Sequence, residues 1–274
     1  MLVLPMNVNP GHPSSVPIAL CLGGLDPSGG AGLLRDVQVL SSMGIYPMAL
    51  CTAETIQNGS ACIRIASPRL SPAEGFQALL PHLTGIWGVK LGLCALRSAP
   101  LRDLIQAITK AGPQIRIWDP IKAPTSGVGL HGRAGLLRMA QTILPTGGWT
   151  VSPNRCEAQA ILGTPASDPE TLARPWLEMG AEAVWLKGGH TAGDEVQDVW
   201  ITQEGALPLE AHPRLPGERR GTGCSLASAW LGMRLKGAGA TKAASQAVEW
   251  LRAHWSQAEA PGNFGRPAFL PELP

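Results

Sequence analysis

The sequence has few charged residues, no long apolar run and no basic leader, and each absence narrows the kinds of protein it can be. Charged side chains make up 15% of the 274 residues and leave a net charge of only +2, which argues against a nucleic-acid partner or a membrane-binding surface. No uninterrupted apolar stretch reaches the ~18 residues of a membrane span. Because residues 1–16 lack a basic segment, we expect a flexible lead-in there and not a signal peptide.

The cysteines show no arrangement typical of a metal or redox site. They are Cys21, Cys51, Cys62, Cys94, Cys156 and Cys224. None forms a CxxC pair or has metal-ligand spacing to a histidine. Several fall inside apolar runs, a pattern typical of reduced, buried thiols, and we therefore expect a cytoplasmic protein.

Motifs of common nucleotide-binding and hydrolytic folds are either missing or out of their structural context. The chain has neither a GxxxxGK[ST] phosphate loop nor a GxSxG nucleophile turn, which argues against a P-loop kinase and a serine hydrolase of that type. Residues 127–132 spell GxGxxG but do not directly join a strand to a helix, so we reject a dinucleotide site.

What the chain does contain is a repeated alternation of short apolar runs and amphipathic stretches. The runs predict strands at 18–22, 48–52, 88–91, 115–118, 150–152, 183–187 and 199–202. The stretches predict helices at 31–43, 73–82, 101–111, 135–143, 155–162, 169–179, 223–235 and 242–256. This order favours an α/β fold with a mostly parallel central sheet covered on both faces. With no linker-like segment, we predict a single domain over residues 17–274.

The first candidate site motif is a glycine-rich stretch at 23–32, which follows the first predicted strand and opens the first predicted helix. Its glycines would let the backbone approach a ligand closely. Asp36, about one turn into that helix, could accept a hydrogen bond from a ligand hydroxyl. The alternative is a plain turn followed by a solvated aspartate.

The second motif is the segment 220–225, which precedes a strongly helical stretch. Consecutive N–H groups at Gly221, Thr222 and Gly223 could bind a transferring phosphoryl group at a helix N-terminus. At that position the pKa of the Cys224 thiol should be lowered, which would suit it to take a proton from an attacking hydroxyl. The alternative is an ordinary buried thiol beside a tight turn.

Polar residues after three further strands could serve a nucleotide and its metal. Glu157 could hold Mg²⁺ through water, although Asn154 and Glu157 equally match a helix capping box. Lys187 could supply a point charge to phosphate, and Asp119 could lie near the metal. The amide of Gln57 could pair with an aminopyrimidine, but the sequence alone favours a polar strand end.

Together these motifs resemble the hydroxymethylpyrimidine/phosphomethylpyrimidine kinases of thiamine biosynthesis, within the ribokinase-like superfamily. The resemblance runs from about Ala19 to the C-terminus, and its most specific parts are residues 25–32, Gln57-Asn58, 187–190 and 221–224. It implies a three-layer α/β/α fold, a homodimer, the use of ATP and Mg²⁺, and phosphorylation of 4-amino-5-hydroxymethyl-2-methylpyrimidine and its monophosphate.

The resemblance also implies roles for individual residues. Gly24, Ala31, Asp36 and Gln57 would line the pyrimidine pocket, which Leu93 and Ile121 would cover. Cys224 would activate the acceptor oxygen, Gly221, Thr222 and Gly223 would bind the transferring phosphoryl group, Asn154 and Lys187 would serve ATP, and Glu157 and Asp119 would hold the metal.

Some positions depart from the family pattern. Thr125 stands where the family has lysine, a lysine appears at Lys122, and Arg219-Arg220 adds two cations near the expected phosphates. We interpret these as altered handling of the phosphorylated substrate or nucleotide. A pyridoxal-type vitamin kinase and a non-catalytic pyrimidine sensor remain alternatives.

Overall fold

A computed structural model describes residues 16–122, 130–163, 165–189 and 193–260. Its strands are β1 (Ile18–Leu25), β2 (Tyr46–Gln57), β3 (Cys62–Ala66), β4 (Trp87–Leu91), β5 (Ile115–Trp118), β6 (Trp149–Val151), β7 (Ala183–Leu186), β8 (Glu195–Val196), β9 (Val199–Thr202), β10 (Gly205–Pro208) and β11 (His212–Pro213). Its α-helices are α1 (Gly32–Ser42), α2 (Pro72–Leu79), α3 (Ser98–Ala111), α4 (Arg133–Ile143), α5 (Arg155–Leu162), α6 (Pro169–Glu178), α7 (Thr222–Leu235) and α8 (Ala240–Ala253).

The central sheet is mostly parallel and has antiparallel strands only at its two ends. Within the described ranges its order is β10-β9-β7-β6-β5-β4-β1-β2-β3, and β8 pairs separately with β11. Strands from β7 through β2 run parallel, whereas β3, β9 and β10 run antiparallel to their neighbours. The strand order changes direction at β1, which lies between β4 and β2. In open α/β sheets a ligand crevice forms beyond the carboxyl ends of the strands at such a point.

Helices cover both faces of this sheet, which confirms the predicted three-layer α/β/α fold. Side chains alternate along β1, so that Leu20 and Leu22 face one apolar cluster while Ala19 and Cys21 face the other. The first cluster includes residues of α2 through α6. The second includes residues of α1, α7 and α8. None of the described helices is long and apolar enough to cross a membrane.

All of the predicted strands and helices are present, but several bounds differ. β1 continues through Gly23-Gly24 to Leu25, and β2 continues to Gln57, so this amide belongs to the strand and does not follow it. The short strands β3, β8, β10 and β11 were not predicted. They are largely exposed, and their pairing depends on neighbouring backbone more than on an apolar pattern of their own.

Some predictions concern residues outside the described ranges. They include the lead-in over 1–16 apart from Val16, the family departure at Thr125, and His190 after Lys187. The single domain over 17–274 stays a prediction.

Candidate active site

A cleft of about 1030 Å³ lies at the carboxyl ends of the parallel strands, next to the change in strand order at β1. Nearly all of the predicted site residues line it, although they come from distant parts of the chain. They are Gly24, Ala31, Gln57, Leu93, Asp119, Ile121, Asn154, Glu157, Lys187, Gly221, Thr222, Gly223 and Cys224. The fold therefore brings the separate motifs together at one place.

The two glycine-rich turns contact each other. Gly221 has φ of +71°, and a Cβ there would lie 2.3 Å from the carbonyl oxygen of Gly30. Gly32 has φ of +61°, and its Cβ would lie 2.2 Å from the carbonyl oxygen of Gly24. Only glycine combines this left-handed backbone with so close an approach. The contact places the N-termini of α1 and α7 side by side at the cleft.

The N-terminus of α7 has the features of a phosphate site. Gly221 is its N-cap residue and offers no side-chain cap, so the first N–H groups of the helix are free of that competition. A Cβ on Gly223 would lie 3.4 Å from Lys187 Nζ and 3.5 Å from Asp119 Oδ2. A ligand phosphate at this turn would therefore meet the helix dipole and a lysine together.

The predicted low pKa of Cys224 is wrong for the unliganded protein. The thiol is buried, and burial raises its pKa to about 11. The positive charge of Lys90 and a hydrogen bond with the backbone of Gly32 oppose that rise, while the carboxylates of Asp36 and Asp119 add to it. Desolvation of the thiolate raises the pKa more than the position at a helix N-terminus can lower it, and only the helix position was visible in the sequence.

Asp36 requires a second correction, because it is not among the residues that line the cleft. Its side chain is 1% exposed and forms a buried ion pair with Lys90. The hydroxyl of Ser228 donates a 2.9 Å hydrogen bond to the same carboxylate oxygen, Oδ1. From its place on α1, the side chain of Asp36 points toward Lys90 on β4 and Ser228 on α7, and not into the cleft.

Lys187, Asp119 and Glu157 form a charged group on the other side of the first turn of α7. Lys187 Nζ donates a 2.8 Å hydrogen bond to Asp119 Oδ1. Burial raises the pKa of Glu157 to about 7; Lys187 opposes this shift and Asp119 increases it. A cation bound at these carboxylates would favour the ionised form of Glu157.

Asn154 and Glu157 form the capping box that the sequence offered as one interpretation. Asn154 Oδ1 accepts a 2.9 Å hydrogen bond from the backbone N–H of Glu157, and Glu157 Oε2 accepts one of 2.8 Å from the backbone N–H of Asn154. Only one carboxylate oxygen is used in this way. Both residues also line the cleft, so capping and ligand binding are compatible.

The carboxylates fit a magnesium ion that is bound together with phosphates. Across the described ranges, no group of three or more histidine, cysteine, aspartate or glutamate side chains could enclose a metal. Mg²⁺ does not require such a cage, since it keeps several waters and uses one or two carboxylates plus substrate phosphates. Asp119 and Glu157 match that donor set.

The other end of the cleft matches a flat ring. A Cβ on Gly24 would lie 2.8 Å from Leu93 Cδ2, so glycine allows Leu93 to pack against the end of β1. The half-buried Gln57 ends β2 on the same cleft. Ile121 completes the apolar part of this wall.

Comparisons with known proteins agree with this site. A family model described as phosphomethylpyrimidine kinase matches residues 26–268. The chain belongs to the phosphomethylpyrimidine kinase family. A hydroxymethylpyrimidine/phosphomethylpyrimidine kinase of Rhizobium meliloti (strain 1021) is 30% identical, with 88% of this chain and 91% of the relative covered. The same kinase of Escherichia coli (strain K12) is 27% identical at the same coverage.

Solved structures show the same fold. A pyridoxal kinase from Staphylococcus aureus in complex with AMP-PCP matches with a TM-score of 0.79 and 19% identity, covering 94% of this chain and 95% of that one. A phosphomethylpyrimidine kinase from Clostridium difficile 630 matches with a TM-score of 0.71 and 22% identity, covering 87% and 98%. At these identities the likeness supports the ribokinase-like architecture.

The two extra arginines of this phosphomethylpyrimidine kinase family member have partners in the protein. Arg220 Nη2 lies 3.1 Å from Asp26 Oδ2, and Arg220 Nη1 donates to Ser28 Oγ at 3.0 Å. The guanidinium of Arg219 lies over the ring of Trp255, 5.3 Å from its centroid. Arg219 therefore ties the segment before α7 to the short 3-10 helix that begins at Trp255.

Sequence reasoning missed several residues behind or beside the cleft. Lys90 is fully buried within β4, and its signal was a single lysine inside an apolar strand. Arg35 is buried in α1 beside Asp36, with no comparable signal. An apolar wall of the cleft was missed too, because its positions look like ordinary core residues in sequence. It contains Leu209, Leu226, Val248, Leu251 and Trp255.

Proposed function

We propose that the protein transfers the γ-phosphoryl group of ATP to 4-amino-5-hydroxymethyl-2-methylpyrimidine and then to the resulting monophosphate, giving the diphosphate for thiamine biosynthesis. The observation that carries the proposal is the uncapped N-terminus of α7, where Gly223 lies against Lys187 and Asp119 and Cys224 follows directly. Named relatives act on the same pyrimidine and its phosphate.

In each step an oxygen of the acceptor attacks the γ-phosphorus. A new P–O bond forms, and the bond from the γ-phosphorus to the bridging oxygen breaks, with its electron pair leaving on ADP. N–H groups of Thr222, Gly223 and Cys224 stabilise the charge on the transferring group. The Cys224 thiolate takes the proton of the hydroxymethyl group in the first step.

Mg²⁺ would neutralise charge on the β- and γ-phosphates when bound. Asp119 and Glu157 would hold it, and Lys187 would contact the phosphates from the same side of the turn. The apolar wall that includes Trp255 lines the same cleft and would take the base of the nucleotide.

A flat aminopyrimidine suits the acceptor end of the cleft. The amide of Gln57 offers a donor and an acceptor side by side, as the amino group and ring nitrogen require. Asp36, which is paired with Lys90 beneath the surface, has no contact role in this proposal.

Three further expectations belong to the proposal. Ile56 and Ile63, which are exposed on β2 and β3, support a homodimer, and light scattering coupled to size-exclusion chromatography tests it. A cytoplasmic location and the lack of a nucleic-acid partner stay predictions from composition.

The direct test is ADP release with Mg-ATP and three acceptors: the hydroxymethylpyrimidine, its monophosphate and pyridoxal. We expect turnover with both pyrimidines and at least tenfold lower kcat/KM with pyridoxal. Turnover of pyridoxal alone would mean that the proposed substrate is wrong and that the proposed reaction, phosphoryl transfer from ATP, is right. Tight pyrimidine binding without turnover would instead indicate a sensor.

A further inference from the structure

Arg35 is a buried cation with most of its hydrogen-bonding capacity unused. Its side chain is 1% exposed, and Nη2 donates a 3.1 Å hydrogen bond to the carbonyl oxygen of Gly29. In the described part of the chain, Nε and Nη1 have no hydrogen-bond partner. Burial lowers the pKa of Arg35 to about 10, so the guanidinium remains charged at neutral pH. A buried charge left in this state is costly unless an anion completes its environment.

Arg220 approaches the same turn from the cleft side. Its guanidinium holds Asp26 and Ser28, while Nε is buried and lacks a partner among the described residues. A Cβ on Gly30 would lie 3.1 Å from Arg220 Nη1, so glycine leaves room for the guanidinium there. Arg220 lines the cleft. The turn at 26–30 thus lies between Arg220, which lines the cleft, and Arg35, which is buried in the protein.

The carboxylates next to this turn are already paired with cations other than Arg35. Three cations, Arg35, Lys90 and Arg220, face two carboxylates, and each carboxylate is already paired: Asp36 with Lys90 and Asp26 with Arg220. The neighbouring Cys224 thiol is neutral at pH 7 because burial raises its pKa to about 11. Among the described residues Arg35 is therefore a buried cation that no carboxylate contacts, and Asp36 and Asp26 act on it only from a distance.

We propose that Arg220 and Arg35 form a second anion site, which binds the phosphate that the acceptor already carries in the second phosphorylation. Arg220 contacts the phosphate from the wall of the cleft, and Arg35, which no carboxylate contacts, supplies positive charge behind it. This inference rests on the proposed function and extends it: the cluster makes the protein selective for a phosphate monoester acceptor over the neutral alcohol.

The position of the cluster separates it from the phosphates of ATP. Gly221 contacts Gly30 at the start of α7, and the two arginines lie beside Gly29 and Gly30. Gly223 contacts Lys187 and Asp119. The two groups of cations thus border different residues of one turn, which would place the acceptor phosphate near Gly221 and the nucleotide phosphates near Gly223, within reach of each other for transfer.

The test compares the two acceptors in variants of both arginines. Arg220→Gln and Arg35→Gln remove the charges, Arg220→Lys and Arg35→Lys retain them, and Arg234→Gln on the distant last turn of α7 is the matched control. For each, kcat/KM is measured with the hydroxymethylpyrimidine and with its monophosphate at saturating Mg-ATP, together with the KM for ATP. Loss of a charged hydrogen bond predicts that the monophosphate value falls about 10- to 100-fold more than the alcohol value. The lysine variants should recover part of that ratio, and Arg234→Gln should keep it.

Equal losses with both acceptors, or a rise in the KM for ATP as the main change, would overturn the acceptor site. Titration calorimetry of the monophosphate without nucleotide provides a reading that needs no turnover: Arg220→Gln should bind it at least tenfold more weakly, and unchanged affinity contradicts the site. If the wild-type protein turned over neither acceptor, the proposed function would be contradicted, and the calorimetry would still show whether the two arginines bind the monophosphate. If Arg35→Gln fails to fold, the Arg220 pair carries the comparison.

Discussion

Lys187 and Asp119 meet through a 2.8 Å hydrogen bond between Nζ and Oδ1, although 68 residues separate them in the sequence. Each lies just beyond the carboxyl end of a strand, Lys187 after β7 and Asp119 after β5. Both side chains are buried, and both border Gly223 at the start of α7. The pair thus connects the strand ends to the first turn of α7.

Removing the charge of Lys187 should affect both stability and catalysis. Lys187→Gln leaves Asp119 buried without its cation, which should lower the free energy of unfolding by about 3 kcal/mol. It should also lower kcat/KM for ATP about 100-fold. Urea denaturation and initial rates measure the two effects. The double variant Asp119→Asn/Lys187→Gln is the control: it should regain stability and stay inactive. Wild-type kcat/KM for ATP in Lys187→Gln would contradict the assigned role.

Glu157 should make the metal-free protein less stable as pH rises. Its folded pKa of about 7 lies above the 4.5 of a glutamate in the unfolded chain, so the folded state binds the extra proton between those values and loses that advantage as pH rises through 7. From pH 5 to pH 8, Glu157→Gln should therefore gain stability relative to wild type, by roughly 2–3 kcal/mol. Urea titrations in EDTA at several pH values test this. A constant difference between the two proteins would show that Glu157 does not titrate in this range.

Cys224 should control the alkaline limb of the rate profile with the hydroxymethylpyrimidine. Because burial raises the thiol pKa to about 11, the thiolate fraction and the rate should increase tenfold per pH unit above neutrality until another group titrates. Cys224→Ala should lower kcat by about 100-fold or more and abolish this rise. Cys156→Ala, at an exposed cysteine, is the control and should match wild type. A pH-dependent rise that persists in Cys224→Ala would assign the base elsewhere.

The contact between the glycine-rich turns should be sensitive to a single methyl group. Gly221→Ala combines a φ of +71° with a Cβ only 2.3 Å from the carbonyl oxygen of Gly30. Gly44 has the same φ, and its Cβ would have nothing within 4 Å. Gly44→Ala should therefore cost about 1–2 kcal/mol of stability from backbone strain alone and keep activity. Gly221→Ala should cost more and lower kcat/KM at least 100-fold. Equal losses of stability and of kcat/KM in the two variants would show that the close approach of Gly221 to Gly30 does not matter.

Local patterns predicted most of the fold and most of the cleft. Buried strands carry short apolar runs, so the parallel strand β5 and the antiparallel strand β9 were both predicted at their observed bounds. Asn154 follows β6 and Lys187 follows β7. Parallel strands end at one edge of a sheet, which is why motifs far apart in sequence could be assigned to one site.

Features that depend on non-local contacts could not be predicted in the same way. The pairing of Asp36 with Lys90 joins α1 to β4, and nothing near Asp36 in sequence indicates it. The pKa of Cys224 depends on burial by the whole fold and so differs from the value that its helix position suggests. The exposed strand β10 pairs with β9 without an apolar pattern of its own.

The product formed from the hydroxymethylpyrimidine and Mg-ATP tests the central claim most directly. Mass spectrometry of a time course should show the monophosphate first and then the diphosphate, with two ADP formed per diphosphate. Cys224→Ala should form neither product at a comparable rate. If wild type forms no phosphorylated pyrimidine under these conditions, the assignment of this cleft to pyrimidine phosphorylation is wrong.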